Sequence, residues 1–316
     1  MSASALPIVV LAGSDRRPPE LPADGKQAHP LSGYKGADVR IGGRTLVETV
    51  VERLHQSGRF GRIYVLGPLR IYRTLSRRCT LVDGDGTFGE NIRAGIDRVS
   101  PGASGAPIAF TTCDILPEVD TLRSVMDEYV ARAPCDLWFP LIRAPEDRAS
   151  LGASAWKPRY RVAPAEGEAS IGVLPGHLTV ADPSALRLKF LYRLMQMGYR
   201  TRNRSINYRR SAMVRGAVLE LLYQDLLHLA TLRAPTLTWS VLRVGIRAAR
   251  QLRDGRITRR RLEDALRRIL VTSRHRRRHP ERRVRLPIVD GLSLALDIDT
   301  EEEARAVGGD VTVRSA

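Results

Sequence analysis

Over its first 185 residues the chain alternates short apolar runs with amphipathic stretches, and that alternation admits few architectures. "PIVVLAG" (7–13) is an apolar run ending in Gly, followed by "GGRTLVETVVERLHQSG" (42–58), in which Leu46, Val47, Val50, Val51 and Leu54 fall at helical spacing before Gly58. "GRIYVLG" (61–67) predicts a strand and "TFGENIRAGIDRVS" (87–100) a helix with Ile92, Ile96 and Val99 on one face. "APIAFTTCDILP" (106–117) predicts a strand ending at Asp114, "EVDTLRSVMDEYVARA" (118–133) a helix, and "CDLWFPLIRA" (135–144) a further single strand. Such alternation is met by right-handed βαβ units around a mostly parallel sheet.

Past residue 156 the pattern changes. "PRYRVAP" and "HLTVADP" read as two short strands, and from "PSALRLKFLYRLMQMG" onward the chain is helical through 211–232, 238–255 and 258–273, punctuated by Gly198, Pro235 and Gly255. "LPIVDGLSLALDIDT" then predicts a closing strand, with "LSLALDI" returning the chain to the sheet before a short helix. The expected layout is an α/β domain beginning at 1–188, a helical insert at 189–283, and residues 284–316 completing the α/β domain.

Charge matters because it is localised. The chain has a formal charge of +17, and residues 241–285 carry 17 Arg against four acidic residues, a surplus of 13. Basicity is therefore a property of the insert. In "TRRRLEDALRRILVTS", Leu262, Ala265, Leu266, Ile269 and Leu270 form one face, with Arg260, Arg261, Glu263, Arg267 and Arg268 mostly off it. The plain reading is a helical subdomain with a solvated Arg face. A second reading is docking on an anionic membrane, at about 1 kcal/mol per basic residue near the surface. A third is nucleic-acid binding through phosphates, but little aromatic interleaving accompanies the charge, and no specific nucleic acid is expected. There is no run of 18 apolar residues, the N-terminus lacks a basic signal region, and three widely spaced cysteines suit a reducing compartment. A cytoplasmic protein is expected, peripheral at the inner membrane surface if the insert docks there.

Three features fall at predicted strand ends, where open parallel sheets bind ligands. The first is the segment 11–36, opening with Leu11-Ala12-Gly13-Ser14, where backbone N–H groups can approach a phosphate, and carrying Arg16, Arg17 and Lys35. A structureless stretch this long is usually functional or mobile. The second is Asp114, placed either to hold a hard cation or to cap the following helix. The third is the run Asp297 to Glu303, with five carboxylates in seven residues. Asp297 and Asp299 share a face of an extended segment, and Thr300 with Glu301 to Glu303 reads as a helix start.

Taken in order, "IVVLAGS…YKG…IGGRTLVETVVERL", "TTCDILP" and "DIDTEEEA" resemble the MobA-like nucleotidyltransferases, over residues 6 to about 185 and 286 to 307. The family's loop reads LAGGxGxR followed by a Lys: Gly13 and Lys35 match, Ser14 replaces the second Gly, and Arg16 sits where a further Gly is usual. The family's GDxP corresponds to Cys113-Asp114, and its closing Asp/Asn-Thr-Pro-Glu-Asp to Asp299 through Glu303 without the Pro.

The resemblance implies a three-layer α/β/α, Rossmann-like (GT-A-like) fold with a mostly parallel sheet. It also implies Mg²⁺-dependent transfer of a nucleoside monophosphate from NTP to a phosphorylated small-molecule acceptor. It makes Asp114 and Asp299 the Mg²⁺ ligands and Leu11 to Ser14 the triphosphate loop. Lys35 would serve the α-phosphate and Arg16 or Arg17 the β/γ side. By the same resemblance Asn91 would read a base edge and Gly95 leave room for its ring, although Thr87 and Glu90 also form a plain capping box. Lys157, Arg159 and Arg161 would meet the acceptor, or form a solvated strand edge. Two rivals stand beside this reading: a glycosyltransferase of similar architecture using "DID" (297–299) as an Asp-x-Asp metal motif, and a basic nucleic-acid-binding protein without catalysis.

Overall fold

The protein is seen in a computed structural model that describes residues 6–14, 29–100, 106–201, 206–230 and 237–311. β1 (Leu6–Leu11) is followed by α1 (Lys35–Asp38), β2 (Val39–Ile41), β3 (Arg44–Thr45), α2 (Leu46–Ser57), β4 (Phe60–Leu66), α3 (Leu69–Tyr72) and β5 (Thr80–Val82). Next come α4 (Phe88–Val99), β6 (Ile108–Thr112), α5 (Val119–Arg132), β7 (Cys135–Trp138), β8 (Leu141–Arg143), β9 (Tyr160–Val162), β10 (Ile171–Pro175) and β11 (Thr179–Ala181). The helical region comprises α6 (Leu188–Arg200), α7 (Ile206–Ala230), α8 (Leu237–Arg253), α9 (Arg259–Leu270) and α10 (Ser273–Arg278). β12 (Arg283–Arg285), β13 (Ile288–Val289), α11 (Glu301–Ala306) and β14 (Gly309–Val311) complete the order.

The main sheet runs β12-β7-β11-β6-β1-β4-β5. β1 is parallel to β4 and β6, β4 to β5 and β7 to β12, while β11 is antiparallel to both its neighbours. Strand alternation sends Ile8 and Val10 to one face, with Val50, Leu54, Leu122 and Met126 of α2 and α5. Val9 and Leu11 go to the other, with Ile92 and Ile96 of α4 and Tyr192 of α6. Helices on both faces of a mostly parallel sheet make the expected three-layer α/β/α, Rossmann-like architecture. Reciprocal capping boxes, Thr45 with Glu48 and Thr87 with Glu90, start α2 and α4, and Gly58 in the left-handed region (φ 65°) ends α2.

Two strand expectations need correction. Residues 135–144 are two strands in two sheets, parted at Phe139-Pro140: β7 lies in the main sheet, whereas β8 joins the order β13-β8-β10-β9. Pro140 has no N–H to continue a ladder, and the Phe139 and Leu141 amides donate to the carbonyls of Arg285 and Pro287. "LSLALDI" is not a strand either. Leu292–Leu294 is a 3₁₀ turn, and Asp297 makes only an isolated bridge to Ile115. The return to the sheet is made earlier by β12, at the basic end of the insert, where Val284 is buried between Arg283 and Arg285.

The helical region is anchored to the sheet by ion pairs. Asp136 is fully buried on β7 and accepts from Arg267 Nε at 3.0 Å, with His275 Nε2 also at 3.0 Å. Arg282 pairs with buried Asp182 at 2.5 Å, and buried Glu263 accepts from the Leu286 amide at 2.8 Å. Arg267 and Glu263 thus belong to the attachment of α9 rather than to a solvated face.

Candidate active site

From β1 the chain builds outward to β4 and β5, then returns to the opposite side of β1 as β6. Such a reversal opens a crevice beyond the carboxyl ends of the strands. Here it is a cleft of about 280 Å³ lined by Leu11, Gly13, Ser14, Lys35, Asp114 and Asp299, among others.

The wall opposite β1 is built by a strap from the end of the chain. The Ile298 amide donates to the Asp114 carbonyl (2.7 Å), the Leu31 amide donates to the Asp299 carbonyl (2.8 Å), and Pro30 bridges Thr300. Extended backbone alternates its side chains, so Ile298 enters an apolar cluster while Asp297 and Asp299 both face the cleft. Ligand oxygens of Asp114, Asp297 and Asp299 all lie within 4.8 Å of one another. The N-cap of α5 is Glu118, which removes the capping alternative for Asp114.

Two buried lysines hold these carboxylates. Lys35 Nζ donates to Asp299 Oδ1 and lies 3.6 Å from Asp114 Oδ2. Lys157 Nζ bonds the carbonyl and carboxylate of Asp297, and lies 3.2 Å from Glu303 Oε1 and 3.7 Å from Asp299 Oδ2. Counting Glu303, four carboxylates face two ammonium groups and the His177 imidazole, so carboxylates outnumber the cationic groups around them. Burial works to raise the Asp297 pKa, but His177 and Lys157 hold it down at about 2. Burial also works against the charged form of Lys157, yet Asp297, Asp299 and Glu303 leave its pKa raised. Asp114 Oδ1 is buried and accepts no hydrogen bond. An excess of carboxylates and an orphaned carboxylate oxygen, on oxygen donors alone, fit one hard divalent cation such as Mg²⁺.

Glu303 does two jobs. Its Oε2 accepts from the amides of Asp299 and Thr300, closing the capping box of α11, while Oε1 accepts from Ser154 Oγ. Burial raises its pKa, with Lys157 opposing.

At the loop after β1, the residues play unequal parts. The Ala12 amide is taken by the Leu66 carbonyl, and Leu11 accepts from the Cys113 amide. The Ser14 amide points to Asp85 Oδ1 at 3.4 Å. Gly13 is required by its neighbour: a Cβ there would lie 2.5 Å from Asn91 Nδ2. Buried Asn91 in turn accepts from the Gly86 amide at 3.1 Å, tying the 83–86 turn to α4. Gly13→Ala is therefore expected to displace Asn91 and lower turnover about 10²-fold; Gly13→Ala/Asn91→Ala, assayed beside the single variants, should be less than additive. Gly95 is not a cleft residue: its missing Cβ faces Val9 Cγ1 at 3.0 Å, so it lets α4 pack closely on β1. Arg16 and Arg17 lie outside the described residues.

Lys157 and Arg161 line a second cavity of about 690 Å³, together with Arg143, Arg148 and Arg159. The Lys157 ammonium, however, ends on the carboxylates of the first site, so its place is in the cation cluster rather than in an open acceptor surface. Arg159 donates to the Pro145 carbonyl and Arg161 to Ser170.

Several site residues are not foreseen from sequence. His177, after β10, lies 3.3 Å from Thr112 Oγ1 and 3.7 Å from Asp297. Asp85 accepts from the Tyr34 hydroxyl at 2.8 Å, which accepts from Arg70 at 2.9 Å. No motif marks these; Asp85 sits in "DGDG" (83–86), which reads as a turn.

Burial disfavours the thiolate form of all three cysteines. Burial pushes Cys79 and Cys135 up to about 11 and drives Cys113, beside Asp114, upward as well. Iodoacetamide at neutral pH is expected to leave all three unlabelled in the native protein and to label them in urea, read by intact mass.

No family model and no curated protein matches the chain. Among solved structures, 4-diphosphocytidyl-2C-methyl-D-erythritol synthase from Anaerococcus prevotii DSM 20548 is similar at 8% identity, covering 96% of each chain with a TM-score of 0.44. CMP:2-keto-3-deoxy-manno-octonic acid synthetase complexed with CTP is similar at 9% identity over 68% of this chain and 86% of that one, TM-score 0.42. A nucleotidyl transferase from Methanothermobacter thermautotroptrophicus is similar at 15% identity over 57% and 72%, TM-score 0.34.

Proposed function

We propose that the protein transfers a nucleoside monophosphate from an NTP to a phosphate-bearing small molecule, releasing pyrophosphate. One observation carries this reading: Asp114, Asp299 and Lys35 converge in a single cleft beside Gly13 and Ser14, at the reversal point of the sheet. In the reaction an acceptor phosphate oxygen attacks the α-phosphorus; the new O–P bond forms as the bond to the β-phosphate bridging oxygen breaks, and that oxygen's electron pair leaves with pyrophosphate. Asp114, Asp297 and Asp299 would hold Mg²⁺, which when bound supplies Lewis-acid charge neutralisation at the phosphate oxygens. Lys35 adds positive charge at the α-phosphate while fixing Asp114 and Asp299. Lys157 keeps Asp297 ionised and holds Asp297 and Asp299 in place, so the field is present before the nucleotide arrives. Gly13 presents backbone to the triphosphate with Ser14 lining the cleft beside it, Arg16 or Arg17 serves its β/γ end, and Asn91 faces the base. Arg161 and the arginines of the second cavity supply an anion-binding wall for the acceptor.

The test is pyrophosphate release with each of the four NTPs and Mg²⁺, against sugar, polyol and cofactor phosphates. Turnover with at least one pair is expected; none with any pair would count against transfer to this acceptor class. A second reading gains from the placement of Asp297 and Asp299 in one cluster: an Asp-x-Asp pair holding a cation for a sugar nucleotide. Thermal shift separates them, since stabilisation by a UDP-sugar but by no free NTP favours glycosyl transfer.

A further inference from the structure

We propose that the outer face of α7 and α8 docks on an anionic lipid bilayer. On α7, Leu219, Leu222, Tyr223 and Leu226 recur at helical spacing, and on α8 Trp239 and Ile246 stand one heptad apart; all six are 47–72% exposed. Outward apolar side chains at i, i+3, i+4 and i+7 are the reverse of what a solvated helix presents.

Charge on these helices is sorted as sharply. The carboxylates of α7 are turned inward: buried Glu220 pairs with Arg193, and buried Asp225 accepts from the Thr238 amide at 2.8 Å. α8 has no acidic residue, and its Arg243, Arg247 and Arg250 are exposed. The face thus offers hydrocarbon and positive charge together. A second copy would bring arginines against arginines. A nucleic acid would meet the arginines and leave the leucine stripe in water. A bilayer with anionic headgroups satisfies both parts: leucines enter the acyl boundary, Trp and Tyr suit the interfacial level, and arginines reach phosphates. Among the described residues no helix is long and apolar enough to cross a membrane, so the attachment is in-plane. The proposal rests on this face alone and is independent of the chemistry in the cleft.

Co-sedimentation of the full chain with vesicles tests it. Binding is expected to phosphatidylglycerol–phosphatidylcholine vesicles and not to pure phosphatidylcholine, weakening with salt. Arg243→Glu/Arg247→Glu should weaken it by about thirtyfold, and Leu222→Ser/Leu226→Ser, at unchanged charge, by about tenfold or more. The emission of Trp239, isolated by difference against Trp239→Phe, should shift to the blue on anionic vesicles only. These side chains are exposed, so circular dichroism and melting should match the parent. Absence of vesicle binding, equal binding to neutral vesicles, or binding unchanged in both double variants would overturn the proposal. So would a dimer by sedimentation velocity that Leu222→Ser/Leu226→Ser dissolves without any vesicle binding, or tight binding to duplex DNA with none to vesicles.

Discussion

Asp114→Asn is expected to lower nucleotide turnover by orders of magnitude while leaving the metal-free protein at least as stable as the parent. The two effects separate because Asp114 gives the fold little beyond its 3.6 Å pair with Lys35, whose ammonium keeps its bond to Asp299 in the variant. The Oδ1 of Asp114 is buried without a hydrogen bond, and its charge opposes ionisation of Asp297 across the cleft. A neutral amide of the same shape removes that repulsion, so the apo melting midpoint should hold or rise by about 1–3 °C. Turnover should fall by about 10²–10³-fold, the usual effect of deleting one preorganised electrostatic group. The stabilisation that Mg²⁺ gives the parent should also disappear, since the ligand that the fold needs least is one the cation needs. Melting scans with and without Mg²⁺, beside the pyrophosphate assay, read all three. A variant that melts well below the parent would recast Asp114 as structural, and one that turns over normally would remove it from the site.

Lys157→Met is expected to have the opposite profile, with a loss of about 3–5 kcal/mol of stability. Lys157 is 6% exposed, and its ammonium is shared among Asp297, Asp299 and Glu303. A thioether fills much of the same volume but leaves the carboxylates of Asp297 and Glu303 without an ammonium partner among the described residues, and Asp299 with Lys35. Burying unpaired charge is far costlier than losing a surface bridge. Urea unfolding should show the midpoint falling at unchanged slope. Added Mg²⁺ should return part of the loss, because a divalent cation supplies the positive charge that the lysine had given. A loss under about 1 kcal/mol, in the surface-pair range, would mean that solvent screens the cluster.

How much of this was legible follows from what periodicity encodes. Period-2 alternation told correctly that Asp297 and Asp299 share a side, even though the segment makes no regular strand. Strand ends placed Gly13 and Asp114 at one edge, since parallel strands carry their carboxyl ends together. Thr300 with Glu301 to Glu303 is the helix start that the sequence reads, but composition does not tell that a capping box and Ser154 take Glu303 inside. Lys157 misled because nothing near it in sequence announces Asp297, 140 residues away. β12 was hidden because a strand with one buried residue, Val284, flanked by arginines has the composition of a solvated tail. Phe139-Pro140 could have been read as a break, since proline does not continue a ladder, but apolar residues on both sides concealed it. Periodicity names the face that turns inward; it does not name the partner.

The strap that completes the cleft also sets an order in time. Lys35 and Asp299 are 264 residues apart along the chain. On a ribosome the strands β1, β4, β5 and β6 emerge with Lys35 and Asp114 long before Asp297 and Asp299 are translated. Contacts of such long span close late, because the entropy of the intervening chain must be lost before they form. The first half of the molecule can therefore pair its sheet while the cleft is still open on one side. The cleft is completed only once residues 297–303 have been made, so its closing would report the arrival of that strap rather than formation of the sheet.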